Sequence, residues 1–198
     1  MIMILSGFPK RTMHFVCQTN TMGDIMVVRK AKPNQLQAVK AFYYDVIDAV
    51  GDSGDSVKWR KDVYPSPAFL SDSIGCGELF IAEESGMIVG AMVLNQQSDD
   101  AYRAVKWPTQ AKNTEVTVIH ALATRPSHRK QGYAKQMVCF AIDCAREQRH
   151  KAIRLDVLKD NRSAKALYTG MGFQYLQTVR IFYEDTGWAD FDLYEYPL

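Results

Sequence analysis

Ile119-His120-Ala121-Leu122-Ala123-Thr124-Arg125-Pro126-Ser127-His128-Arg129-Lys130-Gln131-Gly132-Tyr133-Ala134-Lys135 is the stretch whose reading decides the fold. Residues 115–124 are rich in Val, Ile and Thr and read as a buried strand, which Pro126 stops. From 132 to 149, apolar residues recur at helical spacing at Ala134, Met137, Val138, Ala141, Ile142 and Ala145, which predicts a helix. A helix start leaves about four N–H groups unpaired and carries about half a positive charge. Gly132 and the small Ala134 let an anion approach the backbone closely, and Arg129 and Lys130 add side-chain charge. Strand, basic loop and helix together read as a phosphate-binding turn.

The loop lacks the Gly-Lys-Ser/Thr ending of a triphosphate-binding loop and the third glycine of a dinucleotide fingerprint. It does match Arg-x-x-Gly-x-Ala, as Arg129-x-x-Gly132-x-Ala134. A second strand is predicted at 152–158, with Ile153, Leu155 and Val157 alternating. Asn161-Arg162-Ser163-Ala164-Lys165-Ala166-Leu167-Tyr168 and then Gly172-Phe173 follow it. In this order the segment 115–173 resembles the acetyl-CoA-binding core of the GNAT N-acetyltransferase superfamily, and the resemblance extends more loosely from about Met26 to the C-terminus.

Outward from that core, 198 residues suit one domain with a substantial core. Apolar content of 47% and charged content of 23% are ordinary for a globular protein. A net charge of +2, without a basic cluster interleaved with aromatics, gives no support to a nucleic-acid role. Cys17, Cys76, Cys139 and Cys144 show neither metal spacing nor a disulfide framework, so no metal is expected and a reduced, cytoplasmic setting is. Cys139 and Cys144 are expected as buried small apolar residues. No run reaches the ~18 apolar residues of a membrane span.

Residues 1–24 have no clear period and are expected as an N-terminal extension, the alternative being a small extra strand or partner-binding arm. Residues 25–29 read as a first strand, and Pro33 opens a helix whose apolar face includes Leu36, Val39, Phe42, Val46 and Ile47. The acidic loop 52–55 reads as a solvated turn or as a lip that attracts a cationic amine. Residues 59–67 form a candidate acceptor-side loop, and 67–74 a short helix. Residues 78–84 and 87–96 predict a hairpin turning at Ser85-Gly86, with Gly90 marking a close backbone approach. Tyr102 and Trp107 read as packing groups. Two closing strands are expected at 173–183 and 189–196. The fold class is mixed α/β, and the resemblance implies a mostly antiparallel twisted sheet of about six to seven strands with helices on both faces, spanning 25–198.

The resemblance also implies a chemistry: an acetyl group passes from acetyl-CoA, as co-substrate, to a small-molecule or peptide amine by direct transfer in a ternary complex. The loop of Arg129, Lys130, Gln131, Gly132, Tyr133, Ala134 and Lys135 would hold the CoA pyrophosphate, and the backbone of Leu122, Ala123 and Thr124 the pantetheine arm. Asn161 reads as a helix N-cap, to which the resemblance adds a CoA contact. Tyr168 follows it by about two turns, on the same face, and is the candidate general acid. His120 and Glu115 are the candidate bases. Their odd separation puts them on opposite faces of a regular strand, and a bulge between them would restore a shared face. His128 beside the loop reads as an anion contact or a solvent-facing residue. The alternatives are a CoA-binding sensor or structural module without turnover and, more distantly, an enzyme using another phosphate-bearing donor. A homodimer is possible through the aromatic closing strands.

Overall fold

Alternating apolar residues build the central sheet of the computed structural model, which describes residues 15–16, 26–50 and 58–198. In chain order the elements are β1 (Phe15–Val16), β2 (Val27–Lys30), α1 (Leu36–Val50), α2 (Pro67–Gly75), β3 (Leu79–Glu84) and β4 (Met87–Asn95). There follow β5 (Val116–Thr124), α3 (Tyr133–Glu147), β6 (Ala152–Leu158), α4 (Arg162–Gly170), β7 (Gln174–Tyr183) and β8 (Gly187–Pro197). The sheet runs β1-β2-β3-β4-β5-β6-β8-β7. Every pairing is antiparallel except β5 with β6. The expected mixed α/β architecture is therefore present, with two-residue β1 added at one edge. β1 belongs to the segment expected as an extension; residues 1–14 and 17–24 of that segment, and the acidic loop 52–55, lie outside the described residues.

The two-residue period of each strand sends successive side chains to opposite faces. Phe80, Met92, Leu94, Ile119 and Leu155 pack under α3 and α4, whereas Leu79, Ile81, Ala91, Val93 and Ala121 pack under α1 and α2. Helices cover both faces, and each large apolar side chain so buried stabilises the fold by about 1.5–3 kcal/mol. Gly90 sets how close α3 lies to β4: a Cβ there would come within 2.6 Å of the Met137 sulfur. Of the two α3 cysteines expected as buried, Cys144 is, but Cys139 is exposed. Five residues at about 100° each turn the two side chains roughly 140° apart, so one stripe cannot bury both.

Two irregularities shape the middle of the sheet. β5 and β6 are paired only at their starts, Val116↔Ala152 through Val118↔Arg154; beyond that β6 continues on β8 alone, to Leu158↔Phe191. The strands diverge and leave a gap in the sheet. Beside the gap, Ala91↔Ala123 is followed by Val93↔His120, so two residues of β5 oppose one of β4. This bulge includes Ala121 at φ 50°, a left-handed conformation unfavourable for alanine. The buried Tyr43 hydroxyl holds it by donating to the Ala121 carbonyl at 2.8 Å.

Candidate active site

A cavity of about 340 Å³ occupies the gap between β5 and β6. It is lined from both faces of the sheet. Ala164 and Tyr168 come from the α3–α4 side, and Trp59, Tyr64 and Phe69 from the α1–α2 side. The cavity therefore connects the two faces through the split.

On the α3–α4 side, Gly132 is the N-cap of α3 at φ 86°, and no side chain caps the helix. No acidic residue stands in its first turn, so the positive end of the helix is left for an anion. Arg129, Lys130, Gln131 and Lys135 are exposed around it, and Ala134 is half-buried. Tyr133 instead turns inward and donates to Glu84 at 2.7 Å, tying the loop to the β3–β4 hairpin. Arg125 adds a second tie, donating to the Ile88 carbonyl at 3.0 Å and to Asp45 at 2.6 Å. Below Gly132 lies Gln136, whose Oε1 is buried with no partner among the described residues. An uncapped helix end, a glycine in the left-handed region and an orphaned polar atom together fit a pyrophosphate-bearing ligand.

Leu122 lines the cavity. Ala123 and Thr124 are instead paired with Ala91 and Gly90 of β4. Asn161 also lines the cavity and caps α4, its Oδ1 accepting from Ala164 N–H at 3.0 Å. Tyr168 is 6% exposed, packs edge-on against Phe173, and faces the cavity. Its hydroxyl has no hydrogen-bond partner among the described residues. Burial raises the phenol's pKa, and the nearby Asp156 charge raises it further, so its proton is retained well past neutral pH.

His120 lines the α1–α2 side of the cavity. Its Nε2 lies 2.9 Å from Asn95 Oδ1 and 3.0 Å from the Gln97 carbonyl. Both partners are acceptors, because Asn95 Oδ1 already receives the Gln97 N–H at 3.0 Å. Nε2 therefore carries the hydrogen, and Nδ1 is the lone-pair nitrogen. Burial pushes the imidazolium down to about 4 against the opposing Gln97 carbonyl, so the ring is neutral at pH 7.

Glu115 does not share this site. It closes a 3-10 turn before β5, accepts from Lys112 N–H at 2.9 Å and pairs with Lys151 at 2.9 Å. Those contacts, the Lys112 N–H first, hold its carboxyl below the usual range. The bulge follows His120 rather than separating the two residues, so it cannot bring them to one face. His128 is likewise engaged beside the loop, with Nδ1 2.8 Å from Ser127 Oγ.

The residue that sequence reading missed is Asp156. It lines the cavity beside His120 and accepts from the Tyr102 hydroxyl at 2.8 Å. Burial pushes its carboxyl up to about 6, with the Tyr102 bond opposing and the Asp99 and Asp185 charges adding. The available signal was a carboxylate between Leu155 and Val157 in an otherwise apolar half-strand. Tyr102, expected only to pack, is both buried and the partner of this carboxylate.

The chain is similar to known proteins over this same region. A family model described as the acetyltransferase (GNAT) family matches residues 51–173. N-acetyltransferase family 8 member 2 of Rattus norvegicus is 32% identical over 98 residues, 50% of this chain and 39% of that protein. The match thus takes in about two fifths of that curated relative's length. Among solved structures, a GNAT-family acetyltransferase from Streptococcus agalactiae superposes with a TM-score of 0.73 at 20% identity, covering 90% of this chain and 99% of the other. Arabidopsis thaliana NAA60, solved in complex with acetyl-CoA, superposes at 0.67 with 15% identity, covering 87% and 98%. At such identities the superpositions establish the fold.

Proposed function

The chain belongs to the acetyltransferase (GNAT) family, and from that premise we propose that it is an N-acetyltransferase joining acetyl-CoA and a primary amine in one ternary complex. The observation that carries this reading is the cavity through the sheet. It joins the face of the sheet that carries α3 and its uncapped N-terminus to an acidic, aromatic face, at the point where β5 and β6 part. Bound acetyl-CoA would supply an acetyl thioester to that junction.

The loop from Arg129 to Lys135 binds the pyrophosphate by its backbone N–H groups and basic side chains. Leu122 and Asn161 guide the pantetheine arm into the gap. On this reading the N–H of Leu122, in the bulge released from regular pairing with β4, is the donor where the carbonyl oxygen develops charge. Tyr168 holds a proton on its hydroxyl and gives it to the departing sulfur.

Asp156 takes the ammonium proton. A carboxyl near 6 is ionised at neutral pH yet basic enough to accept it, which suits a general base. The base role expected of His120 passes to Asp156 on this reading. Neutral His120 presents Nδ1 as a hydrogen-bond acceptor that orients the amine. The setting and localisation follow the same proposal: among the described residues no helix is long and apolar enough to cross a membrane, and a cytoplasmic site with its acetyl-CoA supply suits the reaction.

Calorimetric titration with acetyl-CoA, CoA and ATP tests the donor site, and an amine panel assayed for free thiol tests transfer. Binding of both CoA species but not ATP, with amine-dependent thiol release, is expected. CoA binding without thiol release from any amine would favour the sensor reading. Absence of CoA binding would overturn the proposal.

A further inference from the structure

We propose that the acceptor is a diamine, a primary amine whose carbon chain carries a second ammonium group. This inference rests on the acetyl-transfer reading and names its substrate class.

Asp99, Asp156 and Asp185 come from three separate parts of the chain, yet all line the same cavity, and among the described residues no Lys or Arg lines it. His120 beside them is neutral at pH 7. The cation acting on Asp185 is Arg60, whose guanidinium donates to the Glu184 carbonyl. Asp99 accepts from Ala101 N–H at 2.8 Å, which leaves lone pairs on a carboxylate that has about four. Among the described residues, no group of acidic, His or Cys side chains is arranged to hold a metal ion. The acidic lining therefore calls for an organic cation.

The walls between the carboxylates suit such a cation. Trp59 meets Tyr64 edge-to-face with ring centroids 5.7 Å apart, Tyr64 meets Phe69 in a tilted contact at 5.6 Å, and Tyr183 and Phe191 of the β7–β8 hairpin add to the lining. Aromatic faces accept methylene chains and attract ammonium groups. The Tyr168 hydroxyl faces the same cavity from the α3–α4 side, which sets the reacting end of the acceptor chain. Tyr64 and Tyr183 add to this picture: burial first, and then the charges of Asp156 and Asp185, raise both phenols. The fields of these carboxylates thus converge on the aromatic walls.

Charge balance then selects the acceptor. The reacting ammonium gives its proton to Asp156, becoming a neutral amine as Asp156 becomes a neutral acid. Asp99 and Asp185 line the same cavity and take no part in that transfer. A second ammonium on the same chain keeps its proton throughout and pairs with them. A monoamine brings no second cation to this lining, where Arg60 offsets Asp185 only in part, and an amino acid brings its own carboxylate against it.

The test compares an α,ω-diamine with the monoamine and the ω-amino acid of equal chain length, from three to six carbons. Thiol release at saturating acetyl-CoA reads kcat/KM. Calorimetry reads the affinity of an unreactive bis-quaternary ammonium against its mono-quaternary counterpart, which needs no turnover. The diamine is expected to exceed the monoamine by roughly tenfold or more in kcat/KM at its best length, with the amino acid lowest. The bis-quaternary ion is expected to bind tighter by a similar factor. Asp185→Asn and Asp99→Asn should each narrow both ratios. Equal turnover and equal affinity for one and two charges would overturn the diamine assignment while leaving acetyl transfer intact. Loss of acetyl-CoA binding would instead bring down acetyl transfer and the diamine assignment with it.

Discussion

Asp156→Asn is expected to impair catalysis while stabilising the fold at alkaline pH. Burial moves this carboxyl from 3.8 to about 6. At about 1.4 kcal/mol per tenfold change in acidity, keeping it ionised at pH 8 costs the fold about 3 kcal/mol. Between those two values the folded chain holds a proton that the unfolded chain has released. The group's contribution to stability is therefore fully present below 3.8 and is lost as pH rises through about 6. Asparagine removes the charge and keeps an oxygen for the Tyr102 hydroxyl, now 2.8 Å from the carboxylate. Discounting for water in the cavity, a gain of about 2 kcal/mol at pH 8 corresponds to a Tm higher by roughly 4–8 °C. The gain should fall by about half at pH 5. Thiol-release assays should show a wild-type kcat/KM with an acidic limb near 6. The variant should lose that limb and about 10²-fold or more in rate. Activity within threefold of wild type, with the limb unmoved, would refute the base assignment. A lower Tm at pH 8 would refute the claim that the ionised carboxylate is held at the fold's expense.

Tyr168→Phe should lower kcat about 10²-fold with acetyl-CoA affinity nearly unchanged, since the phenol's retained proton is what is lost; single-turnover thiol release checks this, and an unchanged rate would remove Tyr168 as the acid. Gly132→Glu places a carboxylate and a side chain at a φ of 86° before the α3 N-terminus. CoA affinity should fall at least tenfold by calorimetry, and unaltered affinity would mean that the anion site lies elsewhere. Glu195→Ala strands Arg154, which donates to Glu195 at 2.9 Å with both side chains buried and stacks on Trp107 at 4.2 Å. A loss of about 3–5 kcal/mol in denaturant unfolding is expected, and a loss under about 1 kcal/mol would show that the pair is dispensable.

Local pattern determined a great deal about this protein. The apolar period of α3, the alternation in β6, Pro126 after β5 and Gly132 before α3 are short-range signals, because strand and helix periods and helix-end chemistry act within a few residues. They were enough to read the α/β order, the glycine turn that opens α3 and Asn161 as the cap of α4. Tertiary structure decided the rest. Whether β5 and β6 stay paired depends on β8 taking the outer side of β6, a contact between distant parts of the chain. The bulge at Ala121 depends on its pairing with β4 and on Tyr43 from α1. Glu115 read as a strand residue like its neighbours, but a turn and Lys151 draw it away from the cavity. Asp156 read as an ordinary alternating position. Tyr102, Asp99 and Asp185 reach it from segments far apart in sequence, and burial among them is what raises its proton affinity. The periodicity of one strand says which face a carboxylate occupies; the desolvation and charge around it exist only once the other segments have folded over it.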